Sequence, residues 1–123
     1  MKNFVILVCF LMVLAAPLTA LGVDYETIRD NMKNMTDLQW DQYSESLKGY
    51  QIDGDYGLIS NVKEKNGKYR VEIDQYIYLW NVPKDKAYSL RKSQEVYYYG
   101  TIHSVNNIFG RCVINLIYGG IIP

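Results

Sequence analysis

The chain has 123 residues, with 13 Lys plus Arg against 13 Asp plus Glu, one His and two Cys. At roughly 100–200 residues per domain this length fits one folding unit. Zero formal net charge argues against nucleic-acid binding by counterion release, which favours strongly basic domains. A single His leaves no ligand set for a multi-dentate zinc site, and no metal or cofactor is expected.

The N-terminus reads as an export signal. Lys2 supplies a positive charge, Phe4 to Ala16 (FVILVCFLMVLAA) is an unbroken apolar run, and Pro17 precedes Ala20-Leu21-Gly22. A charged start, a short apolar stretch and small residues at a cleavage site make a secretory signal peptide over residues 1–22. Cleavage is expected after Gly22, with the bond after Ala20 as the second choice. Cys9 lies inside the apolar run behind Val8, too early and too crowded for lipidation. The alternative is an uncleaved N-terminal anchor: from Phe4 to Val23 only Thr19 is polar, about the twenty residues that a spanning helix needs. Lys2 sets the same orientation in both cases, so the folded part is expected outside the cytoplasm, secreted or periplasmic, and it meets a membrane only through an unprocessed N-terminus.

Cleavage after Gly22 leaves 101 residues carrying 12 basic and 13 acidic side chains, a net charge of −1. One thiol, Cys112, then remains. It excludes an internal disulfide and leaves two readings, a buried apolar side chain or a bond to another chain.

Residues 24–48 form an N-terminal helical segment. Tyr25, Ile28, Met32 and Met35 recur at helical spacing. Thr36-Asp37-Leu38-Gln39 has the capping-box pattern that opens a second helix, in which Leu38, Tyr43 and Leu47 share a face beside Trp40, and Gly49 ends it. Asn34-Met35-Thr36 also matches a glycosylation sequon, but capping is the expected role of Thr36.

From residue 49 to 123 the apolar period changes to two. Tyr50 to Val62 predicts a long first strand, bent at Gly54 and Gly57. Asn66-Gly67 predicts a hairpin. Tyr69, Val71 and Ile73 then alternate with Arg70, Glu72 and Asp74, as a half-buried second strand should. Gln75 to Val82 is a third strand, Lys84 to Ser93 a short link, Glu95 to Val105 a fourth strand, and Arg111 to Tyr118 a fifth, with Asn106-Asn107 opening the last loop. Five strands, a long bent first one and a longer link between the third and fourth predict a mainly β chain: a five-stranded OB-fold Greek-key barrel behind one or two helices.

The stretch from Met35 to Ile117 resembles the exported OB-fold proteins grouped as tRNA-anti-like. The resemblance rests on Met35-Thr36-Asp37-Leu38-Gln39-Trp40, Leu47-Lys48-Gly49, Gly57, Val62 and Tyr78-Leu79-Trp80-Asn81-Val82-Pro83. Ala87, Leu90, Gln94-Glu95-Val96 and Gly100-Thr101-Ile102 complete it. The chain is similar, more distantly, to periplasmic bacterial OB-fold proteins associated with stress responses. The resemblance implies a fold and an exported location, and no activity.

No catalytic constellation stands out, and an enzyme is not expected. His103 and Ser104 are adjacent, but a triad is recognised by geometry. Asp53 and Asp55 flank Gly54, too few oxygens for a calcium loop. Arg70, Arg91 and Arg111 are dispersed. The unusual feature is 12 tyrosines, all after the leader. If Ile77 and Leu79 face the core, Tyr76, Tyr78 and Trp80 face outward; if Val96, Tyr98 and Ile102 are core, so do Tyr97 and Tyr99. Outward rings have two uses, to pack beneath the N-terminal helices or to contact a ligand on the face that OB-folds use. The expected contact residues are Arg70, Tyr76, Tyr78 and Trp80. The expected function is that of an exported non-catalytic binding module for a cell-envelope glycan, peptide or protein partner. The alternatives are a single-stranded nucleic-acid binder, disfavoured by charge and compartment, and an envelope-located interference or exclusion factor.

Overall fold

The computed structural model describes residues 24–123, and of Asp53 and Gly54 the backbone alone. The leader, Cys9 and the Asp53 carboxylate therefore lie outside the described residues. The described chain is mixed α/β and mainly β: two N-terminal helices, then a sheet whose strands hydrogen-bond into a five-membered ring.

Helix α1 spans Tyr25–Asn34 and α2 spans Asp37–Ser46. The Asp24 carboxylate accepts from Thr27 N at 2.9 Å and caps α1. Thr36 completes the expected capping box on α2, its hydroxyl accepting from Gln39 N at 3.2 Å while the Gln39 side chain accepts from Thr36 N at 3.0 Å. Ile28 and Met32 are buried, with Tyr25 and Met35 packed at the margin, as their spacing predicts. In α2 the buried stripe is Trp40, Tyr43 and Leu47, whereas Leu38 is 81 % exposed. The expected face is thus rotated: Leu38 sits in the first turn, on the side away from the sheet.

The strands are β1 (Gln51–Lys65), β2 (Lys68–Ile73), β3 (Ile77–Trp80), β4 (Glu95–Ile108) and β5 (Arg111–Ile122), with helix α3 (Lys84–Ser89) between β3 and β4. The ring order is β1-β2-β3-β5-β4, and β4 returns to β1. Only β3 and β5 pair in parallel; the other ladders are antiparallel. Strand β1 reaches its two neighbours, β2 and β4, by bending. Its ladder shifts register between Ile52 and Asp55 on the β4 side and between Ile59 and Asn61 on the β2 side, the local twist that a bulge introduces. Gly57 lies at the bend, where a Cβ would stand 2.4 Å from the Ile73 side chain.

Inward parity builds the core: Val71 and Ile73, Ile77 and Leu79, Val96, Tyr98 and Ile102, and Cys112, Ile114 and Leu116 are all within 3 % of complete burial. Helices α1 and α2 join this cluster through Ile28, Met32, Trp40 and Leu47, and α3 joins it through Ala87, with Leu90 just beyond. Tyr76, just before β3, stacks on Tyr25 of α1, while α3 follows the end of β3. The helices therefore approach opposite ends of the ring.

Several predicted strand boundaries differ. Strand β3 is four residues rather than eight, because Asp74 (φ 53°), Gln75 (φ 69°) and Asn81 (φ 62°) take left-handed backbone that ends the extended run on both sides. Asn106 and Asn107 continue β4 instead of opening a loop, and the turn is Phe109-Gly110. There the Asn107 side chain accepts from Gly110 N at 2.8 Å. Strand β5 continues through the Gly119-Gly120 pair to Ile122.

The two hairpin tips share one geometry. Asn66-Gly67 has φ of 54° and 79°, Phe109-Gly110 has 52° and 85°, the pattern of a two-residue type I′ turn. Asn suits the first position; Phe does not, and Phe109 is fully solvent-exposed, with no contact to offset the cost. Phe109→Asn is expected to stabilise the fold by about 1 kcal/mol, read as a higher urea midpoint at unchanged slope.

At the α1 end of the ring, Tyr25 and Cys112 are sensitive to alkali. The Tyr25 hydroxyl donates to the Cys112 carbonyl at 3.0 Å. Burial, then the nearby Cys112 and Tyr76, pushes the Tyr25 phenol up to about 12. Burial pushes the Cys112 thiol from its ordinary 9.0 up to about 11. Above those ordinary values the unfolded chain loses protons that the folded chain retains, so stability falls as pH rises. Urea unfolding should show constant stability from these groups below the ordinary thiol value of 9.0, then a decline through the folded value of about 11. Cys112→Val should remove the first part of that decline and leave the part due to Tyr25.

Candidate functional site

Outward parity on β2, β3 and β5 assembles a cluster on the exterior of the ring. Arg70 pairs with Trp80 and Glu72 with Tyr78 across the β2–β3 ladder, and Tyr78 pairs with Asn115 across β3–β5. The Arg70 guanidinium lies over both rings, 4.4 Å from the Tyr78 centroid and 5.1 Å from that of Trp80. Cation–π attraction and shared apolar cover hold it there.

Arg70 and Glu72 were expected on a solvated face. They do point out of the ring, but Arg70 is only 8 % exposed and Glu72 only 9 %. Rings from the neighbouring strand cover them, a consequence of register rather than of alternation. The pair is ionic, Arg70 Nη2 lying 2.5 Å from Glu72 Oε2. Lys63 of β1, opposite Arg70 in the ladder, reaches the same carboxylate oxygen at 3.9 Å. Arg70 Nε is buried without a hydrogen-bond partner. The site thus has two cations sharing one carboxylate, one unsatisfied N–H and two half-buried rings.

Beside it runs a polar chain. The Trp80 indole N–H donates to Asn115 Oδ1 at 2.8 Å. The Asn115 amide donates in turn to Ser104 Oγ at 3.2 Å and Asn106 Oδ1 at 3.0 Å. This chain fixes the Trp80 ring edge. Sequence reading missed Glu72, Asn115, Ser104, Asn106 and Lys63 as members of the site. Asn115 carried a signal, being the polar residue at outward parity within the apolar run Cys112 to Tyr118.

Of the four expected contact residues, Arg70, Tyr78 and Trp80 come together. Tyr76 does not join them. The Asp74-Gln75 turn takes it out of β3, and its ring stacks on Tyr25 with centroids 3.9 Å apart and planes at 14°. Burial raises its pKa, consistent with a packing role between α1 and the ring. Tyr97 and Tyr99 face outward as predicted, half-buried and exposed respectively.

The other candidates are dispersed. His103 is exposed on β4, and the Ser104 hydroxyl is engaged with Asn106 and Asn115. Asp55 is exposed and accepts from Tyr56 N at 2.8 Å. Arg111 donates to the Gln75 carbonyl, and Arg91 is exposed. Among the described residues, no group of three His, Cys, Asp or Glu is placed to hold a metal ion.

Removing one partner of a covered ion pair leaves the other charge uncompensated, whereas replacing both with apolar groups removes the problem. Glu72→Ala is therefore expected to cost about 3 kcal/mol in chemical denaturation. The double variant Arg70→Met with Glu72→Leu should recover most of that loss.

No family model matches the chain, and no curated protein or solved structure matches it.

Proposed function

We propose that the chain is an exported, non-catalytic OB-fold module that binds a glycan of the cell envelope on the exterior of β2, β3 and β5. The ring order, the parallel β3–β5 ladder and the helix between β3 and β4 support the OB-fold reading, and this face is one that OB-folds use for oligosaccharides and oligonucleotides. The resemblance of Met35 to Ile117 to the tRNA-anti-like group agrees with it. The apolar run behind Lys2 supports export.

The observation that carries the ligand class is the neutralised arginine. Arg70 is already paired with Glu72, so the flat aromatic surface beside it carries a single cation in excess, Lys63, at the half-exposed margin. Such a surface suits a ligand with apolar ring faces and peripheral hydroxyl or amide groups. A phosphate backbone needs free cations, and the Glu72 carboxylate repels it.

Titration of the full chain with N-acetylglucosamine oligosaccharides, followed by tryptophan fluorescence, should give a saturable change. Tyr78→Ser and Trp80→Leu should abolish it while the circular dichroism spectrum is retained. A thymidine oligonucleotide should not bind even at low ionic strength. Oligonucleotide binding that falls steeply with salt, without saccharide binding, would overturn the reading in favour of single-stranded nucleic acid.

A further inference from the structure

On the other side of the ring, the β4–β5 ladder passes through a defect. Tyr99 opposes Gly120, but Thr101 opposes Ile117, so Gly100 faces two residues, Tyr118 and Gly119. The extra residue is Tyr118, which takes φ 54° and is 85 % exposed. A bulky aromatic residue adopts left-handed backbone only at a cost. With so much of its surface in solvent, little packing within the chain offsets that cost.

The two glycines after it are required by the same arrangement. A Cβ at Gly119 would lie 2.0 Å from the Tyr99 carbonyl oxygen, and one at Gly120 would lie 2.6 Å from the Tyr99 phenol oxygen. The glycines therefore let β5 approach β4 closely and let the Tyr99 ring lie against the strand. The result is a cleft of about 360 Å³ lined by Gln51, Ile52, Tyr97, Tyr99, Gly100 and Tyr118. That volume falls within the range of small-molecule sites. Tyr56 stands edge-on to Tyr97 at 5.1 Å and extends the aromatic wall.

We propose that this cleft is a second ligand site, distinct from the Arg70 face, and that it takes one ring of a neutral carbohydrate. Among the described residues, none of its lining side chains is charged. The Tyr99 and Tyr118 phenols supply flat faces with polar edges, and the Gln51 amide supplies both a donor and an acceptor. These groups match a pyranose, with apolar C–H faces and hydroxyls around its rim. An anion finds no cation here. Strained backbone is retained where the surrounding structure and its use demand it, and at Tyr118 that use is the ring standing over the cleft.

The site rests on the bulge and the cleft, independently of the glycan reading for β2 and β3. The test is amide chemical-shift mapping on the full chain with maltotriose and chitotriose as neutral probes, alongside a proline-rich peptide. Saccharide should shift the amides of Gly100, Gly119 and Gly120. Tyr118→Asn, which suits the left-handed backbone, should raise Tm and weaken saccharide binding at these glycines by roughly tenfold, the loss of one stacking contact. Trp80→Leu should leave the glycine shifts in place, which separates this site from the other. Shifts confined to β2 and β3 would overturn the proposal while sparing the Arg70 face. So would glycine shifts produced by the peptide alone, or a Tyr118→Asn variant with lowered Tm.

Discussion

Closure of the hydrogen-bonded ring is the constraint on which the rest of this molecule depends. An open sheet of five strands has two edges to hide, and here the long strands β1, β4 and β5 curl to close it. Bending them requires the register shifts in β1 and β4–β5 and the absence of a side chain at Gly57 and Gly119. Closure then fixes parity. Every second residue goes to a core sealed by α1 and α2 at one end and α3 at the other, and the remainder form the exterior, where ring clusters can collect.

The tyrosines divide along that boundary. Tyr98 is a core residue, and burial raises its pKa. Tyr25, Tyr43 and Tyr76 fasten the N-terminal helices, the first by its hydrogen bond to Cys112 and its stack on Tyr76. Tyr78 covers Arg70 from outside, and Tyr97, Tyr99 and Tyr118 border the cleft on the other side. One residue type thus serves packing, attachment and surface recognition because its ring is apolar and its tip is polar.

Much of this was legible in the sequence. The Thr36 capping box, the Asn66-Gly67 turn and the inward sets Ile77–Leu79 and Val96–Tyr98–Ile102 follow from local chemistry and period, and all are observed. What was not legible depends on neighbours distant in the chain. Nothing local marks Gln75 for left-handed backbone, so Tyr76 was grouped with Tyr78 and Trp80 although the turn diverts it to α1. Alternation placed Arg70 and Glu72 outward but could not show that rings from β3 cover them. The Asn106-Asn107 pair has turn chemistry, yet the hairpin turns at Phe109-Gly110, because the ladder with β5 carries β4 onward and the Asn107 side chain caps the turn from within the strand. The Tyr118 bulge arises from closure, which a strand-by-strand reading does not see.

The position of β5 bears on how the chain reaches this state. It follows β4 in sequence, yet it lies between β3 and β4 and forms the only parallel ladder among the described residues. The hairpin of β1 and β2 can form early from neighbouring residues, but circularisation waits for a partner separated by the whole α3 crossover. A nascent polypeptide emerging amino end first consequently stays an open, unlatched sheet until Arg111–Ile122 is free, and a premature stop before Arg111 would leave β3 and β4 with bare backbone edges.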